Sequence, residues 1–369
     1  MSAYTSILRP LLFRLESERA HELAKTALRR RWLWTPLASR YQVADDRLRV
    51  DFGGVELANP VGLAAGFDKN SEMLDAWQAF GFGYAVVGSI RGVPAPDNPA
   101  PRLLRYPDQE ALINCTGFPS RGAAYSARRL ADFRRRQRTL TVVGNVTGFS
   151  IEEAVTALET VQPYVDVIEI SLSCPNEAED HLEQNFLHPP TFSRLIEALG
   201  ARKQKPFFVK IRSPHNEREL QNRLELVARC VELGLDGVQL PGSQVRPEPR
   251  LSLGRGAMGG RPVRPYTMEY LRDVYAITGD RLAVKALGGI FTAQDAWAAI
   301  AAGASSVELL TAFVYRGPGV AREINQGLLR LLDERGVPNL RALRGTSAIS
   351  RPAGTARAAM SDTFLSRTA

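Results

Sequence analysis

With 369 residues, 44% of them hydrophobic and 23% charged, the chain can bury a large core, as one α/β barrel with extensions or as two ordinary domains. No apolar run is long enough to span a bilayer, and the first residues lack an apolar signal core with a small-residue cleavage site, so a cytoplasmic protein is expected. The three cysteines, Cys115, Cys174 and Cys230, are too few for a disulfide framework, and no Cys/His group has zinc-ligand spacing, so no metal is expected.

The net charge of +8 is uneven. Arg29, Arg30 and Arg31 form one basic run, and Arg134, Arg135, Arg136 and Arg138 another. Solvated helix faces account for such runs. An anionic membrane surface is the sharper reading. Nucleic acid is not expected, because interleaved aromatics and an RNA-binding motif are missing.

In chain order, residues 1–45 read as short amphipathic helices, with Leu8, Leu11, Leu12 and Leu15 on one stripe and Leu23, Ala24, Ala27 and Leu28 on the next. Trp32 and Trp34 follow the first arginine cluster directly. The segment suits docking on a core and equally suits peripheral contact with the cytoplasmic face of a membrane.

From about residue 58 short apolar runs alternate with helical patterns. The runs are 61–64, 84–88, 141–144, 167–170, 207–211, 237–240, 282–286 and 306–309, and helix-period segments include 71–80, 151–160, 220–233 and 292–302. Near-continuous apolar strands separated by helices imply parallel pairing. Eight such units predict a (β/α)8 TIM barrel over 46–345 behind an N-terminal helical extension, 1–45. No G-x-G-x-x-G or phosphate-loop motif follows the first strand, which argues against an open doubly wound sheet. The Ser-, Ala-, Gly- and Arg-rich residues 346–369 read as a disordered tail.

In a barrel of this type the carboxyl ends of the strands build the site. The first run ends in Ala65, Gly66 and Lys69, the second in Ser89, the third in Asn145. The fourth ends in Ser171 and a polar loop carrying Cys174 and Asn176. The fifth ends in Lys210, the seventh in Gly288 and Gly289, and the eighth in Leu310 and Thr311. Glycine backbone N–H groups after the seventh strand would cradle an anion, which favours a phosphorylated cofactor. Cys174 lies beyond the end of core packing, where a thiolate could take a proton from carbon. Cys230 lies on an apolar helical face and reads as core, and Cys115 is undecided.

In this ordered series the chain resembles the dihydroorotate dehydrogenases, specifically their quinone-reducing, membrane-associated class, from about Leu8 to Pro318. Glu18-Arg19-Ala20-His21-Glu22, Asn59-Pro60, Gly62-Leu63-Ala64-Ala65-Gly66, Asp68-Lys69, Pro101-Arg102-Leu103 with Arg105, Ile113-Asn114, Gly117-Phe118, Gly260-Arg261-Pro262, Gly288-Gly289-Ile290 and Ala302-Gly303-Ala304 carry the resemblance. It implies FMN held by Ala65, Gly66, Lys69, Ser89, Asn145, Ser171, Lys210, Gly260, Gly288, Gly289, Leu310 and Thr311. It implies a small-molecule substrate held by Lys69, Asn114, Gly117, Phe118, Asn176, Gly242 and Ser243. His21 and Arg105 would face a quinone or other electron acceptor. Cys174 would act as base, assisted by Lys69 and Lys210, while a hydride passes to flavin N5.

The chain departs from the family pattern in places. Cys174 stands where the quinone class carries Ser. Ser171, Gly242, Glu177 and Pro119 stand where Asn or Thr is usual, and each lost amide partner costs about 1–3 kcal/mol for the same ligand. Gln239 or Ser243 could substitute. The alternative is a paralogue acting on a C–C bond of a different cyclic amide. An RNA-modifying enzyme resembling the dihydrouridine synthases shares the FMN barrel and catalytic Cys, but no C-terminal helical RNA-binding domain follows here.

Overall fold

The computed structural model describes residues 3–136, 139–172 and 186–347. Eight parallel strands close into a barrel: β1 (Val61–Asp68), β2 (Tyr84–Arg91), β3 (Thr141–Thr147), β4 (Val167–Ser171), β5 (Phe207–Lys210), β6 (Gly237–Gln239), β7 (Ala283–Leu287) and β8 (Ser306–Leu309). β8 returns to β1 through the pair Val307↔Val61. Valine, isoleucine and phenylalanine dominate these runs because both faces are covered, one by helices and one by the barrel interior. Every expected strand is present, and the fold is the TIM barrel the sequence implies.

The expected helices also form, with shifted ends. The pattern over 71–80 begins its helix only at Leu74 (Leu74–Ala79). The buried Asp68 carboxylate accepts the backbone N–H groups of Glu72 and Met73, at 2.7 and 2.9 Å, and the indole N–H of Trp77 at 3.1 Å, which holds the preceding residues in a turn. Ser150, Asn216 and Thr292 cap Ile151–Val161, Glu217–Glu232 and Ala293–Ala301 through side-chain oxygens.

Two features lie outside the barrel. A hairpin, Val50–Phe52 with Val55–Leu57, closes the amino-terminal end. Its Gly53 and Gly54 both have positive φ, as a two-residue hairpin turn demands. Phe52 packs 4.8 Å from the Tyr84 ring and 4.7 Å from that of Phe208. At the opposite end, Leu103–Tyr106, Ala111–Asn114, Arg255–Gly260 and Gln244–Pro247 form a four-stranded antiparallel sheet, built from the connections after β2 and β6.

The N-terminal helices Arg9–Phe13, Ser17–Leu28, Arg31–Trp34 and Ala38–Tyr41 dock on this body. Glu18 binds the Arg102 backbone N–H at 2.8 Å and its guanidinium at 3.0 Å. Tyr4 donates its hydroxyl to the Val314 carbonyl at 2.6 Å, and Trp34 stacks edge-on against Phe80 at 5.1 Å. The same segment leaves Ile7, Leu8, Leu11, Leu15, Leu23 and Trp32 exposed, most of the large apolar side chains exposed among the described residues. Much of the second arginine run is engaged locally: Arg134 pairs with Asp166 at 2.5 Å, Arg136 with Asp75 at 2.9 Å, and Arg135 with Asp132. Arg138 lies outside the described residues. Among the described residues no helix is long and apolar enough to cross a membrane.

Candidate active site

The carboxyl ends of the strands and the antiparallel sheet above them bring the expected residues together in groups. Lys210 ends β5 in register with Ser171 on one side and Gln239 on the other. Lys69 and Ser89 are half-buried, and Ser171 and Asn145 are buried. Gly66 faces Leu310: a Cβ built on Gly66 would meet only Leu310 Cδ1, at 3.8 Å. Ala65 precedes it on β1. Gly260 ends a strand of the antiparallel sheet, and its Cβ position lies 3.1 Å from Thr311 Cγ2.

Gly242 and Gly288 converge on Thr267, whose hydroxyl bonds the Leu287 carbonyl at 3.2 Å. Gly289 packs against the Arg264 backbone. Ser243 exchanges a hydrogen bond of 2.9 Å with Ser213. Asn114 donates to the Ala257 carbonyl at 3.4 Å across the antiparallel sheet. Gly117 is half-buried nearby and Phe118 is buried. Cys174, Asn176 and Glu177 lie outside the described residues. Cys115 is buried, its sulfur 3.8 Å from the Pro101 carbonyl. Cys230 is buried on a helix, where burial pushes its thiol pKa up.

The N-terminal extension reaches this rim. His21 packs edge-on against Phe67 at 5.2 Å. Burial, with the positive charges of Lys25 and Lys69, pulls its pKa from 6.5 to about 4, so the imidazole is neutral at neutral pH. Arg105 donates to the carbonyls of Leu12 (3.2 Å) and Leu15 and to the Ser17 hydroxyl (3.2 Å), with its guanidinium 4.5 Å over the Phe13 ring. Its charge fastens the extension to the antiparallel sheet.

Glu169, Lys285 and Glu308 have no counterpart among the site residues expected from the sequence. Glu169, Gln239, Lys285 and Glu308 sit inside strands that read as apolar, yet their side chains fill the barrel interior beside Asn145. Asn145 donates its amide to Glu169 at 2.7 Å, and Gln239 donates to Glu308 at 2.7 Å. The carbonyl oxygens of both amides are buried and have no partner among the described residues. Gln239, expected as a possible substitute substrate ligand, has its NH2 group already committed.

The family model described as dihydroorotate dehydrogenase matches residues 47–332. The chain belongs to the dihydroorotate dehydrogenase family. A dihydroorotate dehydrogenase (quinone) from Acidithiobacillus ferrooxidans is 36% identical, the match covering 93% of this chain and 99% of the relative. One from Thermus thermophilus is also 36% identical, with 90% and 98% covered. The ligand-free DHODH of Eimeria tenella superposes with a TM-score of 0.78 at 28% identity, covering 91% of this chain and all of the other. The same enzyme in complex with ferulenol gives 0.77 at 29% identity, covering 91% of this chain and 96% of the other. The protein is thus an oxidoreductase of the CH–CH type, similar to the quinone-using class of the family.

Proposed function

We propose that this chain is an FMN-dependent dihydroorotate-type dehydrogenase that passes electrons to a quinone. The observation that carries the cofactor is the pair of unpartnered buried carbonyl oxygens on Asn145 and Gln239. Buried acceptors require donors, and the ring N–H and ribityl hydroxyls of FMN are donors. The fit extends to the open space over Gly66 and to the half-buried Lys210. Ala65, Ser89, Ser171, Gly260, Gly288, Gly289, Leu310 and Thr311 would complete the cradle.

Bound FMN would accept a hydride from the substrate carbon. Cys174 takes the proton from the neighbouring carbon, beside the carbonyl. Lys69 pairs with a substrate carboxylate, and Asn114, Gly117, Phe118, Asn176 and Ser243 orient the ring. Lys210 places a positive charge at the mouth, where negative charge develops. His21 and Arg105 form the side facing the acceptor. The exposed apolar residues of 1–45, next to Arg30 and Arg31, support peripheral contact with an anionic membrane surface.

A second reading has its own support. A Cβ on Gly242 would lie 2.1 Å from Thr267 Oγ1 and 2.6 Å from the Thr267 backbone nitrogen. No amide side chain fits at this position, so the substrate shell is altered and the substrate would be another cyclic amide. One experiment separates the readings: anaerobic titration of the purified chain with dihydroorotate, then with related cyclic amides, following flavin absorbance. Prompt bleaching by dihydroorotate supports the first reading; bleaching by another amide alone supports the second. Cys174→Ala should abolish bleaching and leave flavin bound. A colourless protein would sink both.

A further inference from the structure

The barrel interior holds charge that the proposed chemistry does not use. Glu169 on β4, Lys285 on β7 and Glu308 on β8 meet there, none more than 2% exposed. Lys285 Nζ lies 2.7 Å from Glu308 Oε1 and contacts Glu169 Oε2. Burial pulls the Lys285 pKa down, but the two carboxylates outweigh it and leave the ammonium above its ordinary value. Two carboxylates against one ammonium leave a formal charge of −1 away from water.

The remaining contacts are neutral. Tyr84 shares a hydrogen bond with Ser306 at 2.9 Å and reaches Glu308 Oε1 at 3.4 Å. The Asn145 and Gln239 amides donate to the two carboxylates at 2.7 Å each. An ionised carboxylate only accepts, so both amides must turn their NH2 groups inward, and both carbonyl oxygens are left unpartnered. The chain Tyr84, Glu308, Lys285, Glu169, Asn145 therefore runs from the closed floor of the barrel to a residue of the cofactor site.

We propose that Glu169, Lys285 and Glu308 are positioning residues that hold a surplus negative charge beneath the cofactor, fix Asn145 and Gln239 as acceptors towards it, and so make it hard to reduce. The inference rests on the FMN reading above. A hydride carries two electrons and one proton, so its arrival adds one negative charge to the flavin. A fixed negative charge nearby, at low effective dielectric, opposes that addition. The arrangement favours handing electrons on over taking them up.

The test is the midpoint potential of the FMN-loaded full-length chain, measured against reference dyes. Glu308→Gln and Glu169→Gln each bring the formal charge from −1 to zero, and each should raise the equilibrium constant for reduction about tenfold, some 30 mV for a two-electron couple. Lys285→Met takes the charge to −2 and should lower it by a similar factor. Tyr84→Phe removes a hydroxyl without changing charge and should leave the potential where it is. A purely structural network would lower stability in all four variants and move no potential. Unchanged potentials in both glutamine variants, or a fall in them, overturn the proposal even if Lys285→Met fails to fold. A wild-type protein that carries no flavin overturns the FMN reading instead, and is seen before any potential is measured.

Discussion

Lys285 Nζ lies 2.7 Å from Glu308 Oε1, with both side chains closed off from solvent inside the barrel. Removing the cation leaves two carboxylates facing each other without water. Lys285→Met should therefore cost about 3–5 kcal/mol of folding stability, read by denaturant unfolding. Replacing Glu169, Lys285 and Glu308 together by apolar residues of similar volume should cost less than that single change, because no uncompensated charge remains. If the triple variant is the less stable, the trio is a net stabilising element.

Docking of the extension should respond to pH through His21. Its folded pKa is depressed from 6.5 to about 4 by burial and nearby cations. The sign follows from linkage: the docked state binds its proton less readily than the released state. The stabilisation is complete above about pH 6.5 and is lost as pH falls towards 4. Protease cleavage within residues 14–45 should accelerate between pH 7 and 5, and His21→Phe should flatten that dependence.

Gly242→Ala should destabilise the barrel mouth by about 1–3 kcal/mol. The added methyl would meet Thr267 Oγ1 at 2.1 Å and backbone atoms of the same residue at 2.6 and 2.9 Å. A companion Thr267→Ala removes only the hydroxyl clash, so the double variant should recover only part of the loss in thermal unfolding.

Leu8 and Leu11 are each 53% exposed on the extension. If this face meets lipid, the doubly substituted Leu8→Glu, Leu11→Glu protein should sediment with anionic vesicles at least tenfold less than wild type, while its thermal unfolding barely changes, since neither side chain is core. Equal sedimentation would assign the apolar face to something other than membrane.

All eight barrel strands and their order of charged and glycine-rich ends are legible in local periodicity, because doubly buried parallel strands leave a near-continuous apolar signature. The polar interior does not show in that periodicity, although its signal is present: Glu169, Lys285 and Glu308 are isolated charges within such runs, and a charge in a strand covered on both faces needs an opposite partner. The antiparallel sheet over the mouth escapes local pattern for another reason. Its strands span four to six residues, and Asn114 pairs with Ala257, a separation that local pattern does not encode. The site residues on single strand ends were therefore easier to find than Gly260 and Asn114, which the resemblance supplied. Gly242 departs from the family pattern, and the packing of Thr267 explains why no side chain can be restored there.

The seam between Val307 and Val61 also constrains the protein's birth on the ribosome. The last strand seals the cylinder against the first, and the mouth borrows segments from both halves of the chain. No partial product can shelter the charged interior, so a nascent polypeptide must keep Glu169 and its neighbours hydrated until residues past 309 have emerged.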